Sequence, residues 1–543
     1  MKRKGNILIV DDLEKWREEL VESLERSGYA ADSASTGPEA LKKLHQKIYH
    51  IVVLDIRMDE VDQNSLESKM DGITLLRELE KQGLSEATKV IMLSAYGTKE
   101  LMRTSFREYK VVDFLTKDEF NNEEFVEIVH QVFAQKVNIN LDLNIHWLQG
   151  SKPEQFVLNL DVNGTRVKRG SNLQNQVVAE LEDLLCRLFY LAESVLIQPL
   201  TPGQSGTCVL QLQPFYTTGG GGHKIIVKFG DYRKIEGEYH NFKTFVQPFL
   251  GGGRNTSVLD VRHTTHLGGI IYSLLGTTHD HIIDFGEFYR SSDIFQIRGS
   301  LDRLFQDTCG TWYASHGNLQ PLNLTEEYQR LFGYSPEKLE QILSDQLKTV
   351  EGKQNLHFRN LKGERIFTNP IVATTNVTLF RPTYVCTTHG DFNQHNLLVD
   401  STGHVWLIDF QGTGQSHILR DVSMLDSAVR FQLLASEEAT LEERLQMEEV
   451  LCSIERFSQV DQLMTNFSTS NPALEKIFAT IVHLRSWARN LVQQNPSDDL
   501  SEYSIALLYN AINTMRFNSL SSIQREHALL CASLLTDKLG LSS

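Results

Sequence analysis

The chain has 543 residues, 41% of them hydrophobic and 22% charged, which excludes a single core and predicts about three or four domains. A formal net charge of -16, with no Lys/Arg-rich run beyond the KRK at residues 2–4, argues against nucleic-acid binding. No stretch approaches the ~18 apolar residues that span a bilayer, and the opening MKRKGNILIVDD has neither a signal peptide's apolar region nor a cleavage site, so a cytoplasmic protein without membrane contact is expected. Four apolar runs then follow in order: NILIV ending at Val10, IVVL ending at Leu54, KVIML ending at Leu93 and VVDFL ending at Leu115. They read as buried parallel strands, and the helical spacings between them (Leu13, Trp16, Leu20, Leu24; Leu75, Leu76, Leu79) predict a doubly wound α/β sheet over residues 1–135.

Ligands of such sheets bind beyond the carboxyl ends of the strands. Those ends carry Asp11 and Asp12, Asp55, Ser94 and Lys117. Three carboxylates brought together need a cation, and hard oxygen ligands suit Mg2+. With these residues in place the segment resembles a response-regulator receiver domain of flavodoxin-like fold. The resemblance implies that Asp55 is the phosphoacceptor, that Asp11, Asp12 and Asp55 hold Mg2+, that Ser94 and Lys117 contact the phosphoryl group and that Phe114 is the aromatic switch. It also implies an upstream sensor histidine kinase or phosphotransfer protein. Two departures stand out: Asp118 follows the lysine where a proline is common, and an insertion around DEVDQNSLESK separates Asp55 from MDG at residues 70–72.

Residues 136–198 read as a connector. Val137, Ile139, Leu141, Leu143, Ile145 and Trp147 alternate, as do Phe156, Leu158, Leu160 and Val162, which predicts a hairpin of two half-buried strands. Leu173, Val177, Leu181, Leu184, Leu188, Leu191 and Val195 follow at heptad spacing. This seam fits a homodimeric coiled coil through residues 173–195 or an amphipathic helix lying on a neighbouring domain.

From residue 199 the chemistry changes. Gly203 and Gly206 lie between apolar runs and can bring backbone N–H groups close to phosphates, and Lys228, on the next strand, can reach phosphate oxygens as a point charge. Glu238 is the best-placed residue to hold that lysine, with Glu236 its rival. In HGDFNQHN, Asp391 precedes Asn396 by five residues, and the strand VWLI delivers Asp409 thirteen residues later. One carboxylate to orient or deprotonate an acceptor, with an amide and a second carboxylate to hold Mg2+, is the minimum equipment for phosphoryl transfer.

This HGDxxxxN loop followed by IDFQG resembles the aminoglycoside and choline phosphotransferase branch of the protein-kinase-like fold. The resemblance implies a two-lobed α+β domain over residues 199–470, ATP as donor and a small-molecule or protein hydroxyl as acceptor. It implies Asp391 as catalytic base, Asn396 and Asp409 as metal ligands, and Lys228 with Glu238 as the ATP pair, while His389 shapes the loop. A second Asp-Phe-Gly, at Asp284, Phe285 and Gly286, lies far upstream of the loop; its alternation suggests an N-terminal-lobe strand near the hinge, with no catalytic role. Helical spacings over residues 471–543 complete the C-terminal lobe. Cysteines 186, 208, 309, 386, 452 and 531 form no metal-binding cluster and read as reduced core residues. The whole predicts a two-component response regulator whose phosphorylated receiver controls a phosphotransferase; the alternative is a non-catalytic, ATP-binding pseudokinase or scaffold.

Overall fold

The computed structural model describes residues 4–58, 71–95, 105–158, 160–199, 206–217, 220–249, 256–274, 282–343, 354–358, 361–363 and 365–541. Two compact units emerge: one holds residues 1–239 and 258–273, the other residues 240–257 and 274–543.

The first unit opens with a parallel five-stranded sheet. Its strands are β1 (Lys4–Val10), β2 (Tyr29–Ala34), β3 (Ile51–Asp55), β4 (Lys89–Ser94) and β5 (Asp113–Thr116), in the order β2-β1-β3-β4-β5. Helices α1 (Glu14–Arg26), α2 (Gly37–Gln46), α3 (Gly72–Lys81) and α4 (Asn122–Val132) cover it. Both faces of the sheet are buried: Leu8, Val52 and Met92 pack in one apolar cluster, and Ile7, Val53 and Ile91 in another. This explains the unbroken apolar runs. The helix starts are capped locally, with Thr36 accepting from the Glu39 N–H, Asp71 from Thr74, and Asn121 from Glu123 and Glu124.

A second sheet in the same unit has the path order β10-β11-β9-β8-β7-β6, built from β6 (Asn144–Trp147), β7 (Ser194–Pro199), β8 (Cys208–Tyr216), β9 (Ile225–Asp231), β10 (Thr256–His263) and β11 (Leu267–Leu274). Helix α5 (Asn172–Leu188) packs on it, and α6 (Tyr232–Asn241) follows β9 directly.

The connector reading needs one correction. Residues 144–147 do not pair with 156–162; β6 pairs in parallel with β7 as an edge strand of the larger sheet. Period-two alternation is common to both arrangements. The turn chemistry separates them: Pro153 starts a helical turn over Pro153–Phe156, and Asn163 and Gly164, both at positive φ, fold Asp161–Val162 back on Thr165–Arg166. Of the two readings of the heptad seam, the structure has the amphipathic helix packed on a sheet, in place of the coiled coil. Val177, Leu181, Leu184 and Leu188 are buried against Val195, Ile197, Leu210, Val227 and Phe229, so the helix spends its apolar face on its own sheet. It ends at Leu188; Leu191 is 69% exposed beyond it, and Val195 lies in β7.

In the second unit β12 (Ile282–Asp284), β14 (Leu397–Asp400) and β15 (Val405–Leu407) form an antiparallel sheet, and β13 (Val385–Thr388) pairs with β16 (Gly414–His417). The Asp284 strand therefore belongs to the sheet that follows the HGDFNQHN loop and not to the sheet that bears Lys228. The run is a strand over Ile282–Asp284, as its alternation suggests, and Asp284 then caps helix α7 (Phe285–Ser291) by accepting from Glu287. Helices α8 (Ile294–Arg303), α9 (Arg420–Ser427), α10 (Leu441–Cys452), α11 (Pro472–Leu491), α12 (Ser501–Thr514) and α13 (Ser522–Lys538) belong to this unit. Arg430 sits among them fully buried, between Asp426 and Glu448, and Glu448 also meets His527 at 2.8 Å. Among the described residues no helix is long and apolar enough to cross a membrane.

Candidate functional site

Three groups of polar side chains stand out. The first lies at the carboxyl ends of β1, β3 and β4. Carboxylate oxygens of Asp11, Asp12 and Asp55 fall within 4.8 Å of one another, a hard, anionic donor set of the kind that holds Mg2+. Lys117, just past β5, donates to Asp11 and to Asp55 at 2.6 Å each and lies 5.2 Å from the Trp16 ring centroid. Burial raises the Asp55 pKa and the bond from Lys117 only partly offsets it; the Lys117 pKa stays up despite burial because two carboxylates accept from it. Ser94 is buried at the end of β4, and Phe114 lies half-buried in β5, where it pairs with Met92. Asp11, Asp12, Asp55, Ser94 and Lys117 thus lie at neighbouring strand ends, and Phe114 lies within the adjoining strand. The DEVDQNSLESK insertion lies outside the described residues.

The second group is on the larger sheet. Lys228 projects from β9 and donates to Glu238 of α6 at 2.7 Å, with side chains 0% and 1% exposed as residues. Tyr272 of β11 donates to the other oxygen of Glu238. Glu236, the rival, is exposed. Gly206 adopts φ +74° just before β8, and Gly203 lies outside the described residues.

The third group is the loop between β13 and β14 together with the chain that follows β15. The half-buried Asp391 accepts from Asn393 Nδ2 at 3.0 Å and from Asn396 Nδ2 at 2.8 Å. Its pKa is raised, first by removal from water and then by the negative charge of Asp409. Asp409 holds φ +70°, a strained setting for a non-glycine residue and one that often marks a functional turn. His389 is buried and kept neutral by that burial; its Nε2 donates to the Ile408 carbonyl at 3.0 Å, tying the loop to the strand that leads into Asp409. His395 Nδ1 meets Asp284 Oδ2 at 3.2 Å, so Asp284 borders this loop after all.

Two residues that escaped the sequence reading hold the loop. Asp421, fully buried at the start of α9, accepts from the backbone N–H of His389 and of Gly390 at 2.8 Å each and from Tyr313 Oη at 3.0 Å. Arg420 donates to the Gly390 carbonyl at 2.9 Å. Gly390 is required: at φ +83° its Cβ would stand 2.2 Å from the Gly412 carbonyl oxygen. The signal for the pair was an Arg-Asp step at the start of a buried helix, which asks for a partner.

Comparison with known proteins separates these groups. The response regulator receiver domain matches residues 7–130. Two curated relatives from Bacillus subtilis are the transcriptional regulatory protein ResD, 34% identical over 111 residues, and the alkaline phosphatase synthesis transcriptional regulatory protein PhoP, 35% identical over 111 residues. Each alignment covers 20% of this chain and 41% of the relative, so the chain spans less than half the length of these regulators. Among solved structures, the receiver domain of NtrX from Brucella abortus is 25% identical and aligns over 24% of this chain and 99% of its own, with a TM-score of 0.21. The domain described as Ternary complex associated domain 9 matches residues 192–358 and 337–516, a span that takes in both Lys228 and Asp391. The chain belongs to the Ternary complex associated domain 9 family and carries an N-terminal response-regulator receiver domain.

Proposed function

We propose that this protein is a two-component response regulator in which phosphorylation of Asp55 controls an ATP-dependent phosphotransferase of protein-kinase-like fold. For the receiver the supporting observation is Lys117 bridging Asp11 and Asp55, with Asp12 alongside. An Asp55 carboxylate oxygen attacks the phosphorus of a phosphohistidine or of acetyl phosphate. The bond from phosphorus to the donor breaks, the donor departs with its electron pair, and an acyl phosphate remains on Asp55. Lys117 and Ser94 then face the phosphoryl oxygens. Mg2+, which Asp11, Asp12 and Asp55 would hold, supplies charge neutralisation for that transfer.

For the output domain the reading is carried by Asp391, clamped by two amides and raised in pKa beside Asp409. A carboxylate oriented in this way can take the proton of an acceptor hydroxyl as its oxygen attacks the γ-phosphorus of ATP and ADP leaves. Asn396 and Asp409 would hold the metal, and the buried Lys228, fixed by Glu238, would neutralise phosphate oxygens. The deciding experiment is ATP turnover by the full chain and by Asp391→Ala, each with and without acetyl phosphate and Mg2+. Turnover that requires Asp391 and responds to acetyl phosphate supports a regulated phosphotransferase; acceptor-independent and acceptor-screened assays that show no Asp391-dependent turnover refute it.

A second reading draws on the family's description as associated with a ternary complex. In it ATP binding organises an assembly without turnover, so Lys228→Ala would abolish both ATP binding and partner recruitment, whereas Asp391→Ala would leave both in place.

A further inference from the structure

The receiver and the sheet that bears Lys228 share one compact unit, and one contact between them lies on a short line from Asp55 to Glu238. Helix α3 begins against the phosphoacceptor strand: the Gly72 N–H donates to the Ile56 carbonyl at 3.2 Å, and a Cβ on Gly72 would stand 2.3 Å from the Asp55 carbonyl oxygen. Nothing larger than glycine fits there, so α3 cannot stay still if the end of β3 rearranges. Ten residues later the helix ends at Gln82 and Gly83, and both touch Tyr232. The Gln82 carbonyl accepts from Tyr232 Oη at 2.8 Å, and a Cβ on Gly83, at φ +74°, would stand 2.8 Å from the Tyr232 ring.

Tyr232 is the first residue of α6 and is 9% exposed. Six residues along the same helix, about 9 Å further on, Glu238 holds Lys228. Among the described residues, a further contact of the receiver with this part of the unit adjoins that one: the His45 ring, whose Nε2 meets Gln82 Oε1 at 3.0 Å, lies 6.0 Å from that of His266. His50 Nε2, at the amino end of β3 and thus opposite Asp55, meets Asp183 of α5 at 2.8 Å, and Gln176 of α5 donates to the His45 carbonyl at 2.6 Å. The receiver therefore meets the rest of the unit at the end of its sheet opposite Asp55, where α5 holds His45 and His50 and where α3, which starts beside Asp55, ends against α6.

We infer that α3 is the output lever of this receiver: phosphorylation of Asp55 displaces the Gln82–Gly83 end of α3 against Tyr232 and, through α6, resets the Lys228–Glu238 pair. The inference rests on the reading of that pair as the ATP-binding element. A phosphoryl group adds about 1.5 to 2 negative charges, and close-packed interfaces turn such local changes into discrete shifts rather than absorbing them. Coupling between two sites of this kind commonly amounts to about 5- to 150-fold in affinity.

The test uses the full chain phosphorylated with acetyl phosphate and Mg2+, with incorporation at Asp55 checked by intact mass and by its loss in Asp55→Asn. Amide exchange is followed over residues 232–241, and affinity for a non-hydrolysable ATP analogue is measured in parallel. The expected result is a change in exchange over α6 and a change of about fivefold or more in analogue affinity, with most of both responses lost in Tyr232→Phe while Asp55 is still phosphorylated. Unchanged exchange over α6 in phosphorylated protein overturns the inference, as does a full response in Tyr232→Phe. A Tyr232-dependent exchange response without any analogue binding upholds the lever and refutes the ATP reading.

Discussion

Asp421→Asn isolates the residue that holds the HGDFNQHN loop. Asp421 Oδ2 accepts from the His389 N–H at 2.8 Å and from Tyr313 Oη at 3.0 Å, and Oδ1 accepts from the Gly390 N–H at 2.8 Å. An asparagine offers a single acceptor oxygen. Placed on the Oδ2 side, it leaves the Gly390 N–H facing an amide NH2; placed on the Oδ1 side, it strands the His389 N–H instead. Hydrogen bonds to a charged group are worth about 1.5–3 kcal/mol each, and a buried donor left unmet costs about 1–3 kcal/mol. One such bond lost and another weakened gives an expected destabilisation of ~2–4 kcal/mol at a site that is fully buried. The negative charge also raises the neighbouring Cys386, Cys309 and Tyr313 above their usual ranges, secondary to burial, and that part of the shift should vanish in the variant. Denaturant unfolding gives the stability, and amide exchange at His389 and Gly390 tells a local release from global loss. A destabilisation below ~0.5 kcal/mol, with both amides still protected, would refute the assignment of Asp421 as the loop's anchor.

Other substitutions bear on the remaining parts of the structure. Lys228→Met removes the buried cation facing Glu238 and should cost ~3–5 kcal/mol, measured as a lowered midpoint for the first unit, whereas Lys228→Arg should cost less. Leu184→Ala empties the core beneath α5 and should destabilise by ~2–5 kcal/mol without altering sedimentation; a change in oligomeric state instead would restore the coiled-coil reading. Burial pushes the His527 imidazole down to about 4 from an ordinary value of 6.5, against the opposing pull of Glu448. Because the folded chain then binds fewer protons than the unfolded chain, this stabilisation is complete above pH 6.5 and lost as pH falls through about 4. It amounts to ~3 kcal/mol, and the slope of stability against pH over that window should flatten in His527→Gln.

Residues that act with near neighbours were legible in the sequence. The runs ILIV and IVVL announced strands buried on both faces because a parallel sheet covered by helices leaves no polar side. Asp391 and Asn396 lie five positions apart, and Lys228 and Glu238 ten apart across one strand-to-helix step, so their spacing suggested that they meet; Asn393, which also donates to Asp391, was not singled out. The alternation at residues 137–147 and the heptads from Leu173 were just as clear as patterns, but periodicity reports which face is buried and not what covers it. A lone edge strand and a hairpin look alike in sequence, as do a core helix and a coiled coil; Pro153 and the Asn163-Gly164 turn carried the information that distinguished the first pair.

Long-range partners stayed hidden for a different reason. Asp421 serves donors about thirty positions away, and Tyr232 serves an acceptor 150 positions away. A buried carboxylate or phenol must find a partner, yet nothing local says which. This asymmetry bears on how the chain could be controlled. The groups read as chemically active sit in recognisable patterns: Asp391 in one short loop, and Asp55 among Asp11, Asp12, Ser94 and Lys117 at successive strand ends. The groups that tie a receiver to a particular output, Tyr232 with Gln82 and His50 with Asp183, are isolated residues with no motif around them. On the inference that α3 is the output lever, a receiver could keep its whole phosphorylation signature and lose its influence through a single change at Tyr232, so the sequence around Asp55 does not by itself establish what it regulates.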